Sequence, residues 1–144
     1  MIVKKTAVHL VKRHETNCPF RIAKSKGINI QFQDLGNIWG YYFVYKRVPI
    51  IVINSKLSES LQRVVCAHEL GHSIFHSNLN TSFMKKTTFF SVDKIELEAN
   101  RFAAELLIPD EAIAETNDVY QIASLHGVSV ELVRLKLICK EELF

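Results

Sequence analysis

The chain has 144 residues, 48% hydrophobic and 23% charged, which supplies one buried core and excludes a disordered chain. Its net charge of +3 is scattered and marks no nucleic-acid-binding stripe. The longest apolar run, residues 48–53, is far short of the roughly 20 residues that cross a membrane, and Cys18, Cys66 and Cys139 stand too far apart for a disulfide framework or a CxxC metal site.

In chain order, Ile2, Ala7, Val8, Leu10 and Val11 suit a helix over residues 2–15, with no uninterrupted apolar stretch of the kind a secretory leader needs. The expected compartment is the reducing cytoplasm. Asn17-Cys18-Pro19 breaks the helix, and Pro19 can open a short one from Phe20 to Lys26 that Gly27 closes. Residues 28–33 alternate apolar and polar side chains as a half-buried strand does. After a turn at Gly36-Asn37, Trp39–Tyr45 and Val48–Ile53 read as a hairpin joined by Lys46-Arg47, with Pro49 near a strand start or on an edge.

From residue 55 the pattern turns helical. Ser55 or Ser58 can cap a helix reaching about His76, and Glu59 suits its positive end. Residues 77–92 are polar and irregular. A helix from about Val92 to Leu107 is stopped by Pro109, and two more, near Asp118–His126 and Ser129–Lys140, flank Gly127. The expected fold is a single α+β domain over residues 1–144, with N-terminal helices, a small three-stranded sheet and a helical C-terminal part.

The helix over residues 59–76 carries His68-Glu69-Leu70-Gly71-His72. Four residues turn a helix by about 400°, so His68 and His72 project from one face, as two nitrogen ligands of a tetrahedral zinc ion must. Glu69 sits beside the first ligand and can reach water at the metal without binding the metal, which makes it the candidate catalytic base. The helix is apolar nearly all round, and ionisable groups there are costly unless paired or metal-bound.

A catalytic site needs a third ligand. Glu96 shares a helical face with Ala99, Asn100, Ala103 and Leu107, which is small, apolar and hence inward. Glu98 shares a face with Arg101 and Glu105, which reads as outward, with Glu98 paired to Arg101. The metal set is therefore His68, His72 and Glu96. Asn100 can orient a ligand from behind or make a structural hydrogen bond. Zinc fits these ligand types best, though manganese or iron also accept two imidazoles and a carboxylate.

The pentapeptide, followed by Glu96-Leu97-Glu98-Ala99-Asn100-Arg101-Phe102-Ala103-Ala104-Glu105-Leu106-Leu107-Ile108-Pro109, resembles the ImmA/IrrE metallopeptidase family, and Ile51-Val52-Ile53-Asn54 fits the same pattern. The resemblance implies a zincin-like fold and Glu96 as third zinc ligand. It also implies a zinc-dependent endopeptidase that cleaves a helix-turn-helix repressor, or another regulatory protein, of a phage or mobile element.

Several residues keep open roles. His76, one turn past His72, reads as a C-terminal cap interacting with the helix dipole in preference to a fourth ligand. Cys66 points away from the histidines and reads as inert core. The oxyanion donor is one of Tyr41, Tyr42, Tyr45, His9, His14 and Tyr120. Residues 123–135 resemble a helix-turn-helix, but the second helix is too apolar to read DNA, so an ordinary helical hairpin is expected and direct DNA binding is not. The alternative function is a zinc-stabilised anti-repressor or DNA-binding regulator without proteolytic activity.

Overall fold

The computed structural model describes residues 2–77, 81–84 and 93–141, and most of its elements follow the sequence periodicities. Helix α1 (Ile2–His14) buries Ala7 and Leu10, and α2 (Pro19–Ser25) opens on Pro19 and is followed by Gly27 at φ +77°, a left-handed position that glycine adopts without strain. Strands β1 (Asn29–Gln33), β2 (Ile38–Tyr45) and β3 (Val48–Asn54) follow. Lys46 and Arg47 both have positive φ, which gives the β2–β3 hairpin the twist of its strands.

The sheet is mixed, in the order β1-β3-β2-β4, with β1 parallel to β3 and both other pairings antiparallel. The three expected strands are joined by a fourth, β4 (Thr81–Met84), within the stretch read as irregular; the rest of residues 78–92 lies outside the described residues. β3 is paired on both sides, which accounts for the near-complete burial of Ile51, Val52 and Ile53. Pro49 is its second residue, and pairing with β1 begins only at Ile50.

Helix α3 (Glu59–Phe75) crosses the sheet, capped by Ser58, whose Oγ accepts from the Leu61 amide at 3.2 Å. The approach requires Gly40 in β2, because a Cβ there would lie 2.6 Å from Val65 Cγ1 and 2.8 Å from the Val52 carbonyl oxygen. Buried Asn54 fixes the lead into α3. Its amide nitrogen donates to the carbonyls of Gly36 and Ile38, and its Oδ1 accepts from the Lys56 amide.

Helix α4 (Lys94–Leu107) begins at the Asp93 cap and packs along α3. The contact centres on Gly71, where a Cβ would meet Phe102 at 3.1 Å and Ala99 Cα at 3.3 Å. A short helix, α5 (Asp110–Glu115), follows Pro109 and was not expected from the periodicity. Helices α6 (Val119–His126) and α7 (Val130–Glu141) then form a hairpin around Gly127 at φ +63°. The α7 face bearing Leu132, Val133, Leu135 and Lys136 is buried, and α7 packs on α4.

That packing corrects the expectation that Glu105 faces outward. Its side chain is 5% exposed, and its carboxylate accepts from Lys136 Nζ at 2.7 Å. Lys136 also reaches Asp110 at 2.7 Å, and Lys4 of α1 binds the same carboxylate at 3.0 Å. A polar residue on α4 thus acquires its partner from a helix 31 positions away, which local periodicity does not report. Lys136→Ala leaves the Glu105 charge buried without this partner and is expected to destabilise the chain by about 3–5 kcal/mol, the range for broken buried pairs. A thermal melt should fall by roughly 10 °C. The double variant Lys136→Met with Glu105→Leu should lose far less.

Candidate metal centre

The centre is built by three turns of α3 against the first two turns of α4. His68 and His72, both fully buried, stand one above the other with ring centroids 4.7 Å apart and planes at 82°. Their Nε2 atoms lie 3.1 Å from each other. Glu96 closes the triangle from α4, with Oε2 at 3.0 Å from His68 Nε2 and Oε1 at 3.0 Å from His72 Nε2. These residues form the group among the described residues that could hold a metal ion.

Metal–ligand lengths of about 2.0–2.1 Å put tetrahedral ligand atoms about 3.3 Å apart, so the observed triangle needs to open only slightly around zinc. The chemistry of the donors fits as well. His68 Nδ1 is 2.7 Å from Asn100 Oδ1, a carbonyl oxygen that only accepts, so a proton sits on Nδ1; Nε2 is left to give its lone pair to a metal or, when it is protonated in the metal-free chain, to donate to Glu96. Asn100, fully buried one turn from Glu96, thereby orients a ligand.

The electrostatics prepare the site for a cation. Burial would raise the Glu96 carboxyl, but hydrogen bonds from His68 and His72 outweigh it and hold the group down, to about 2. Burial pushes His72 below its ordinary 6.5, opposed in part by Glu96. His76 is also lowered, by burial and then by the neighbouring His72. The unfolded chain therefore binds more protons than the folded chain below pH 6.5, and again between 4.5 and about 2 through Glu96. The metal-free chain is expected to be most stable above pH 6.5, and its melting temperature should fall steadily on acidification from 7.5 to 4. A flat or rising profile contradicts the assignment.

Glu69 is fully buried on α3 beside His68. Glu98, expected to be exposed and paired with Arg101, is instead half-buried, with Oε2 3.5 Å from His76 Nε2. Helical periodicity on α4 alone does not report this contact, although His76 continues the four-residue spacing of His68 and His72. The His76 backbone does cap α3, its amide donating to the His72 carbonyl at 2.8 Å. Its ring turns inward, with Nδ1 3.0 Å from His72 Nδ1. Cys66 is fully buried and its thiol is pushed well up by burial, as an inert core residue should be.

Of the oxyanion candidates, Tyr42 is buried on β2 and its hydroxyl donates to the Ser77 carbonyl just past α3. Tyr45 and Tyr120 are 58% and 67% exposed, at the hairpin tip and on α6. His9 and His14 line a separate depression on α1 of about 430 Å³.

Comparison with known proteins agrees with this architecture. A family model described as the IrrE N-terminal-like domain, a peptidase family, matches residues 23–137. The chain is 41% identical over 140 residues to Uncharacterized immunity region protein 2 of Bacillus phage phi105, covering 94% of this chain and 89% of the relative. It is 32% identical over 113 residues to Metallopeptidase ImmA of Bacillus subtilis strain 168, covering 78% of this chain and 67% of that protein. With the family model spanning most of its length and a metallopeptidase among its relatives, the chain belongs to the IrrE N-terminal-like peptidase family.

Proposed function

We propose that the chain is a zinc-dependent endopeptidase that cuts a helix-turn-helix repressor, or another regulatory protein, of a phage or mobile element, and that it acts in the cytoplasm where such a repressor works. The observation that carries this reading is the triangle of His68, His72 and Glu96, closed to 3.0–3.1 Å, with the buried Glu69 next to His68 in the sequence of α3. The names of the relatives, one an immunity region protein and one a metallopeptidase, support the class of substrate and of reaction.

His68, His72 and Glu96 would hold the zinc. A bound zinc supplies Lewis acidity, which polarises a carbonyl and eases loss of a proton from water near neutral pH. Glu69 takes the proton of the attacking water and passes it to the leaving amine. Asn100 keeps the His68 imidazole in the ligating tautomer. The substrate lies extended along β4, the sheet edge that follows α3, adding a strand by main-chain hydrogen bonds. The α6–α7 hairpin serves packing, since its second helix is committed to α4.

The test is incubation of the zinc-loaded chain with a purified phage helix-turn-helix repressor, with and without a chelator. Fragments that form only in the absence of chelator support the reading. Release of an uncut repressor from its operator favours the alternative, a zinc-stabilised anti-repressor.

A further inference from the structure

The histidine stripe on α3 does not end with the ligands. His76 lies one more turn along, its side chain only 9% exposed and its ring centroid 5.1 Å from that of His72. Its Nδ1 is 3.0 Å from His72 Nδ1, so one hydrogen must lie between the two nitrogens. His72 presents Nε2 to His68 and Glu96, and a ligating lone pair on Nε2 puts the His72 proton on Nδ1. His72 Nδ1–H therefore donates, His76 Nδ1 accepts, and the His76 proton sits on Nε2. That nitrogen faces the Glu98 carboxylate at 3.5 Å, which favours a proton there.

We propose that His76 is a positioning residue for the metal ligand His72, and that Glu98 holds His76 in the tautomer that does this. The role rests on the metal-centre reading above. It makes the two ligand imidazoles equivalent in support. His68 donates directly to Asn100, and His72 donates to His76, whose Nε2 faces the Glu98 carboxylate at 3.5 Å, close enough for electrostatic attraction but longer than a hydrogen bond. Glu96, Glu98 and Asn100 all come from the first turns of α4, so a single helix supplies one ligand, the acceptor behind His68 and the carboxylate that faces His76. A direct ligand role for His76 is excluded by the same geometry, because its Nδ1 meets His72 on the ring nitrogen remote from the metal-facing one.

The test is zinc affinity by competition with a chromophoric chelator, for the unsubstituted chain, His76→Ala, His76→Asn and Glu98→Ala. His76→Ala is expected to bind zinc about 10- to 100-fold more weakly, as loss of an outer-sphere partner does. His76→Asn should regain most of this, because Asn Oδ1 takes the place of Nδ1 as acceptor. Glu98→Ala should fall between the unsubstituted chain and His76→Ala. Cobalt(II) loaded into His76→Asn should keep the visible band intensity of the parent, which a lost ligand would change. His76→Ala within twofold of the parent overturns the proposal, as does His76→Asn binding no better than His76→Ala. If His76→Ala fails to fold, Asn at parent affinity with a weakened Glu98→Ala still supports it. A parent chain that binds no zinc overturns the metal centre itself, a distinct outcome.

Discussion

Glu69→Gln is expected to bind zinc as the parent does and to cleave its substrate about 10²- to 10⁴-fold more slowly, the usual contribution of a positioned general base. Gln has the size and shape of Glu, so the buried pocket on α3 that encloses residue 69 stays filled. The three metal-facing atoms belong to His68, His72 and Glu96 and are untouched. What changes is that an amide cannot accept the proton of an attacking water. Metal analysis of the purified variant, with the rate of fragment formation, separates the two effects. Unchanged cleavage would remove Glu69 from the mechanism.

The second large effect concerns the ligands. Glu96→Ala removes the carboxylate that faces both imidazoles and leaves two nitrogen donors, too few to hold zinc through dialysis. His68→Ala should lose the metal for the same reason. Glu98→Ala should retain one equivalent, with only the modest loss of affinity described above. Retained metal should also raise the melting temperature of the parent and of Glu98→Ala over their metal-free forms, and leave Glu96→Ala unmoved. Metal kept by Glu96→Ala and lost by Glu98→Ala would exchange the roles of the two glutamates.

Periodicity made the inner shell of the centre legible. The four-residue spacing of His68 and His72, and the small apolar face shared by Glu96, Ala99, Asn100 and Ala103, are local facts of a helix, and all of these residues but Glu96 are fully buried. The hairpin and the first strand were legible for the same reason. The misses come from partners distant in sequence or from elements too short to declare themselves. β4 is recruited by the free edge of β2 and has no alternation of its own long enough to declare it. α5 has six residues, under two turns, too few for a periodic signal. Glu98 and Glu105 read as solvated because their partners, His76 and Lys136, come from α3 and α7. The polar face of α4 is thus partly buried, with Glu105 paired to Lys136 and Glu98 turned toward His76.

The most direct measurement of the central claim is the intact mass of a purified phage helix-turn-helix repressor after incubation with equal amounts of the parent and of Glu69→Gln, each carrying one equivalent of zinc. The account predicts two fragments whose masses sum to the repressor plus one water with the parent, and intact repressor with Glu69→Gln. Fragments produced equally by both proteins would contradict it, as would intact repressor stripped from its operator by both.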